Sequence, residues 1–192
     1  MQPEKKTLQT TSLDNLVFLD IETTGLDCSG GAKIVEIAML KINGATEEKF
    51  ETLINPGSPI PLECSKIHSI YDADVANAPD IKTVAKDIAD FISGYTVVCH
   101  NAGFDLAFVS KELKESGIDL QTIPYIDTLK LARQYFSFDS NALGNIANAI
   151  GVEVEVKHRA MADVLTMYSI AKYLFKNMYR KGVDLIEIQE YR

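Results

Sequence analysis

Leu16-Val17-Phe18-Leu19 is an unbroken apolar run that ends in Asp20 and Glu22 and passes at once into Thr23-Thr24-Gly25. A short, continuous apolar run reads as a buried strand. Residues i and i+2 of a strand share a face, so both carboxylates emerge together at the edge of a core. Two acids placed so repel each other and lose solvation. The compensation expected is a divalent cation, because hard oxygen ligands suit Mg²⁺ or Mn²⁺. The alternative for this segment alone is a pair of solvated acids at a strand end.

The rest of the chain alternates strand and helix signals. Ile34 to Ile42 is a mainly apolar strand, Asn43-Gly44 predicts a type I′ hairpin turn, and Phe50 to Ile54 lies in the returning strand. Pro79-Asp80 opens a helix in which Ile81, Val84, Ala85, Ile88 and Phe91 follow helical spacing, and Gly94 ends it. Tyr95 to Cys99 is a short buried strand. Helices are expected from about Gly103 to Ser116, with Gly117 as the stop, from Asp127 to Arg133, across the Leu143/Ile146/Ala147/Ile150 stripe, and from Ala160 to about Arg180. Strands, one hairpin and interleaved helices imply an α/β domain with a mixed β-sheet. The expected organisation is a polar N-terminal tail over 1–14, one domain over 15–180 and a C-terminal tail over 181–192, in which Ile186 and Ile188 could form a small docking strand.

A chain of 192 residues with 46% hydrophobic content fits one domain with a single substantial core. No apolar stretch is long enough to span a bilayer, and Met1 to Asp14 lacks the apolar region of a signal peptide. Three cysteines without metal-type spacing read as reduced thiols, and the location expected is cytoplasmic. A formal net charge of -8 argues against a broad basic surface gripping long duplex. It leaves room for a site that holds a strand end and supplies its positive charge as bound metal.

Two further acids stand out. Asp105 falls early in the helix after the Tyr95–Cys99 strand. Asp163 falls in the first turn of the last helix and shares a stripe with Met167, Ile170 and Leu174. Acids near helix N-termini are also favourable without any function. His158 precedes Asp163 by five residues, which on a helix is a net rotation of about 140°. It is therefore expected on the loop before the helix, leaning over the same site. Lys157 and Arg159 flank it, and solvated charge is the default for both.

Three segments together resemble the DEDDh family of 3′–5′ exonucleases, which includes the proofreading epsilon subunit and the exonuclease domain of bacterial replicative polymerases. They are Phe18-Leu19-Asp20-Ile21-Glu22-Thr23-Thr24-Gly25-Leu26, His100-Asn101-Ala102-Gly103-Phe104-Asp105 and His158-Arg159-Ala160-Met161-Ala162-Asp163. Softer matches are Ile54-Asn55-Pro56 with Pro59-Ile60-Pro61, and Ile126-Asp127-Thr128-Leu129. The resemblance implies an RNase H-like fold: a mixed sheet flanked by helices. It implies that Asp20, Glu22, Asp105 and Asp163 bind two divalent cations, Mg²⁺ or Mn²⁺, and that His158 is the general base. It also implies that Thr23, Thr24, Gly25 and Leu26 line the terminal nucleotide, with His68, Asn101 and Phe104 near the substrate.

The residues themselves offer plainer readings for several of these. Gly25 permits close backbone approach or an unusual φ. Leu26 could equally pack inward, Asn101 is expected to cap the following helix through its side chain, and Phe104 with Phe108 suits a core stripe. His100 is expected to support the fold. His68-Ser69-Ile70 is similar to a His-Gly-Ile segment of some relatives, from which Ser69 departs.

The implied function is release of nucleoside 5′-monophosphates from single-stranded or frayed 3′ ends, in proofreading or repair, with a possible polymerase partner. DNA is favoured by the motif resemblance, and small relatives that trim RNA use the same acids. A nuclease-derived binding subunit without activity is the alternative from another class. The complete set of four acids and one histidine favours the enzyme.

Overall fold

The computed structural model describes residues 6–153 and 158–192. In chain order the elements are β1 (Thr7–Gln9), β2 (Leu16–Thr23), β3 (Ile34–Asn43), β4 (Thr46–Leu53), α1 (Leu62–His68), α2 (Asp72–Val75), α3 (Ile81–Ile92), β5 (Thr96–Cys99), α4 (Ala102–Glu115), β6 (Ile123–Asp127), α5 (Thr128–Tyr135), α6 (Leu143–Ala149), α7 (Ala160–Arg180), β7 (Leu185–Glu187) and β8 (Gln189–Tyr191). Lys157 lies outside the described residues.

A six-stranded sheet carries the fold, in the order β4-β3-β2-β5-β6-β8. The pairs β2/β3, β3/β4 and β6/β8 are antiparallel, and β5 runs parallel to both β2 and β6. This is the mixed sheet expected from the alternating elements. Its two faces carry separate cores. Val17, Leu19 and Ile21 of β2 pack with the apolar stripes of α3 and α4. Leu16 and Phe18 pack with α5, α6 and α7. That two-sided burial explains why β2 needs apolar residues at consecutive positions. Phe18 also meets Tyr168 of α7 edge-on, with ring centroids 5.1 Å apart. Truncating Phe18 to alanine would cost about 3–5 kcal/mol by the usual cavity penalty.

Two local expectations differ from the structure. The β3–β4 turn is Gly44-Ala45, one residue later than Asn43-Gly44, because Asn43 still pairs with Thr46. Gly44 has φ +60 whereas Ala45 is not among the positive-φ residues, so the type I′ turn, which needs positive φ at both centres, is not formed. The N-terminal end carries a strand where a tail was expected, and the C-terminal end carries the small docking strand allowed for at Ile186 together with a further one, β8. Backbone pairing joins Leu8 to Ile186, and Ile186 is buried against the α7-side core. β8 then covers the open edge of β6. An apolar side chain every second residue supplies the reason: Leu8, Ile186 and Ile188 each reach that core. No helix among the described residues is long and apolar enough to cross a membrane.

Candidate active site

The site follows from where strands stop. β2 pairs with β5 as far as Phe18↔Val98, and β5 ends at Cys99. Asp20 and Glu22 therefore run on beyond the carboxyl end of their parallel neighbour, where open α/β sheets leave a crevice. On the other side β3 continues, placing Ala38 opposite Asp20 and Glu36 opposite Glu22, with a register shift between Glu22 and Thr23. Asp20 and Glu22 extend the Leu16/Phe18 row, on the face covered by α7. Asp163 arrives in the first turn of α7. Asp105 arrives in the first turn of α4, from the opposite layer, and is only 4% exposed.

These acids crowd one another. Burial raises the Asp20 carboxyl well above the usual carboxylate range, and Asp105, Asp163, Glu22 and Glu36 raise it further. Glu22 is pushed up to about 8, first by burial, then by Asp163 and Glu36, with Arg159 pulling it back. Burial likewise raises Asp105; backbone amides oppose this, while Asp127 and Glu22 add to it. Ligand atoms of Glu22, His158 and Asp163 all lie within 4.8 Å of one another. Carboxylates forced together with an imidazole at their edge form a hard, anionic donor set, which suits a divalent cation such as Mg²⁺ or Mn²⁺.

His158 sits on the loop before α7, exposed, with the left-handed φ of 57°. The structure thus brings Asp20, Glu22, Asp105, Asp163 and His158 to one place. The other sequence-selected residues divide. Thr23 donates its hydroxyl to the Gly25 carbonyl at 2.7 Å, and Thr24 exchanges hydrogen bonds with the Lys33 backbone at 2.8 and 2.9 Å, so both shape the loop after β2. Gly25 has no positive φ, and a Cβ there would meet only Ala32 Cβ at 3.4 Å, so neither an unusual φ nor a severe close approach explains it. Leu26 is 88% exposed, which removes core packing as its explanation. Phe104 meets Phe108 in a tilted ring contact with centroids 5.1 Å apart and is partly buried against the α3–α4 core.

Asn101 does not cap α4 through its side chain. It takes the left-handed φ of 82°, which asparagine tolerates, and its backbone N–H donates to Asp127 Oδ1 at 3.1 Å. His100 bridges the Asn141 carbonyl at 2.8 Å and the Thr128 hydroxyl at 2.9 Å. A carbonyl only accepts, so Nε2 carries a proton, and burial lowers the pKa of the ring. That arrangement holds the fold together. His68 is 2% exposed; its Nδ1 accepts from Ile70 N–H at 3.1 Å, which leaves the proton on Nε2. Burial lowers its pKa, and the backbone of Thr23 together with Glu36 pulls the other way, which puts the ring beside the first motif.

Two residues have structural roles that the sequence reading did not assign: Asp127, which it placed only in a softer motif match, and Glu36, which it passed over. Asp127 Oδ1 accepts from Asn101, Leu129 and Lys130 N–H groups at 3.1, 3.0 and 3.3 Å, tying the loop before Asp105 to the end of β6. Glu36, 1% exposed, holds the Arg159 guanidinium at 2.7 Å, so Arg159, although its side chain is 42% exposed, is ion-paired rather than simply solvated. The available signal was a lone carboxylate inside the apolar Ile34–Ile42 run, since a buried charge needs a partner.

Comparison with known proteins extends the picture. A family model described as an exonuclease, of the RNase T type, matches residues 17–171. A DNA polymerase III subunit epsilon-like protein of Rhodobacter capsulatus is 37% identical over 166 residues, 82% of this chain and 23% of that protein. The 3′–5′ exonuclease DinG of Bacillus subtilis is 34% identical over 149 residues, 77% of this chain and 16% of that protein. The chain therefore spans less than a quarter of the length of either curated relative. Among solved structures, exonuclease X in complex with 5′-overhanging duplex DNA matches with a TM-score of 0.66 at 26% identity, covering 87% of this chain and 93% of that one.

Proposed function

We propose that this chain, which belongs to the RNase T-type exonuclease family, is a divalent-metal-dependent 3′–5′ exonuclease that releases nucleoside 5′-monophosphates from DNA ends. The observation that carries this reading is the convergence of four acids from β2, α4 and α7, with His158 beside Glu22 and Asp163.

Asp20, Glu22, Asp105 and Asp163 are the residues to hold the metal. Bound divalent cations would supply Lewis-acid stabilisation of the anionic phosphate oxygens during hydrolysis. His158, in its neutral form, takes a proton from the attacking water. The new bond joins that water oxygen to phosphorus. The bond from phosphorus to the 3′ oxygen of the penultimate nucleotide breaks, and that oxygen leaves with the electron pair and takes up a proton. Because His158 is on an exposed loop, it can reach a water held at the mouth of the crevice. The exposure of Leu26 at the end of the first motif supports a contact with the terminal base, and we assign Thr23, Thr24 and Gly25 to the loop that frames it. We assign Asn101 and Phe104 to the surroundings of that nucleotide, and His68, 2% exposed, to support behind the first motif rather than to direct contact.

DNA as substrate is supported by the relative described as epsilon-like and by the duplex DNA bound to exonuclease X. A net charge of -8 suits a grip limited to a strand end. Proofreading or repair beside a polymerase partner, in the cytoplasm, is the setting we infer; the cysteines among the described residues are free thiols. The deciding assay offers one preparation 5′-labelled single-stranded DNA, matched RNA, a 3′-blocked strand and a closed single-stranded circle, with Mg²⁺, with Mn²⁺ and with EDTA. A ladder from the free 3′ end of DNA that needs metal is expected. Full activity in EDTA, or cutting of the circle, refutes the reading.

A further inference from the structure

We propose that Glu36 and Arg159 are positioning residues: a clamp, buried at its Glu36 end and open to solvent along Arg159, that fixes His158 and Asp163 against Glu22. The inference rests on the exonuclease reading of the same site.

The clamp uses every lone-pair direction that its geometry offers. Arg159 Nε donates to Glu36 Oε1 at 3.1 Å and Oε2 at 3.2 Å, and Nη2 donates to Oε1 at 2.7 Å. Glu36 Oε2 also accepts the Ala160 backbone N–H at 2.9 Å. Arg159 is the N-cap residue of α7 yet makes no side-chain cap. The capping carboxylate comes instead from β3, across the sheet, and satisfies an orphan amide of the helix's first turn. The first turn is thereby bolted to the strand that faces β2.

Three consequences meet at the site. Glu36 is the register partner of Glu22, so the clamp and the first ligand share one rung of the β2/β3 ladder. Asp163 N–H bonds the Arg159 carbonyl at 3.1 Å, so the acid hangs from the clamped peptide. His158 directly precedes Arg159 and holds a left-handed φ of 57°, a conformation that a non-glycine residue keeps only when its surroundings impose it. The 4.8 Å grouping of Glu22, His158 and Asp163 is thus set by the ladder on one side and the clamp on the other.

A purely stabilising role is a poor account of the pair, since the Arg159 side chain is 42% exposed and an ion pair open to solvent on one side contributes little net stability. That difference supplies the test. Glu36→Gln, Arg159→Lys and the double variant Glu36→Met/Arg159→Met are compared with the wild type in melting temperature, in kcat and KM on 5′-labelled single-stranded DNA, and in broadening of the His158 ring NMR signals by Mn²⁺ alone. The chain has three histidines, so His100 serves as the reference.

The double variant is expected to melt near the wild type, yet lose about 10–100-fold in kcat with KM within about twofold, the range seen when outer partners of metal ligands are removed. Arg159→Lys should fall between, because an ammonium cannot reproduce the planar fork. His158 signals should need severalfold more Mn²⁺ to broaden in Glu36→Gln than in the wild type. Wild-type kcat in a folded Glu36→Gln or double variant overturns the proposal, as does a change confined to KM or an unaltered Mn²⁺ response. If the wild type releases no mononucleotide, the exonuclease reading fails, and the Mn²⁺ response still decides whether the clamp positions His158.

Discussion

Glu22 and Glu36 face each other across adjacent strands, and their surroundings are opposite. Glu36 is 1% exposed and meets four hydrogen-bond donor contacts from Arg159 and Ala160. Glu22 is half-buried among acids and is pushed up to about 8, with Asp20 and Asp105 raised in the same sense. One carboxylate has been satisfied by the protein and the others have been left short of positive charge. A fold that can pair a buried acid with arginine at one rung has the means to do so at the next. Leaving the neighbouring acids frustrated marks them as a place where something else supplies the charge, while the satisfied acid marks the scaffold that holds them.

The largest effect should come from removing one frustrated acid. Asp105→Asn is expected to lower exonuclease activity by about 10³-fold or more, the scale of losing a main electrostatic contributor to a transition state. In EDTA at neutral pH the same variant should melt higher than the wild type, because the amide escapes the cost of burying a carboxyl that is ionised in the unfolded chain. Melting curves with and without metal check this. A variant that melts lower in EDTA would mean that Asp105 is satisfied as Glu36 is, and the contrast would break.

His158 comes next. His158→Ala should lose about 10²–10⁴-fold in kcat, the usual share of a general base, and retain metal-dependent stabilisation because the four acids remain. The pH–rate profile sharpens the point. A base must be neutral to accept a proton, so the wild-type rate should climb with pH, and the variant should lack that ascending limb. An unchanged limb would leave His158 as a contact only.

Linkage provides a third, smaller effect. The ordinary pKa of Glu22, 4.5, applies to the unfolded chain, and about 8 applies to the fold. Below the lower value both states are protonated and no penalty exists. As pH rises between the two, the unfolded chain loses its proton and the folded chain keeps it, so apo stability falls across that window and levels off above it. The fall is on the order of a few kcal/mol at most, reduced by solvent at a half-buried group. A cation opposes this penalty, so Mg²⁺ should raise the melting temperature more at pH 8 than at pH 5. Equal Mg²⁺ shifts at the two pH values would remove charge frustration as the description of this site.

Much of this contrast was legible before any coordinates, but unevenly. The acids were readable because each sits where a local pattern ends: Asp20 and Glu22 close an apolar run, and Asp105 and Asp163 open helices. Their meeting point was readable through three motifs in order. Glu36 was passed over because its partner is 123 positions away, and local periodicity carries no such pairing. Asn101 misled for a related reason. Its composition favours a cap, but the site uses its tolerance of left-handed backbone and the reach of its N–H toward Asp127. The N-terminal end was read as a tail because β1 is only three residues long and holds one apolar side chain, Leu8, whereas the Ile186/Ile188 alternation did suggest a docking strand at the other end. The stability of both ends comes from docking onto a core that the sequence places far away.

Backbone strain repeats the contrast on a smaller scale and yields the smallest expected effect. His158 and Ser69 both hold left-handed φ, 57° and 58°. At His158 the conformation keeps an imidazole beside two acids. At Ser69 it merely ends α1, where the backbone N–H bonds Ser65 O at 2.8 Å, a position that glycine fills at least conformational cost. Serine there bears roughly 1–2 kcal/mol of left-handed strain, and glycine would return roughly 0.5–1 kcal/mol through the freer unfolded chain. Ser69→Gly should therefore stabilise by up to about 1 kcal/mol, a rise of about 2–4 °C for a domain of this size. His158→Gly relieves the same kind of strain but deletes the base, so it should gain in melting temperature while losing activity. Thermal melts and kcat for the two glycine variants test whether strain at His158 serves chemistry: comparable activity in both would show that it does not, because then the left-handed residue before α7 would be no more than another helix boundary.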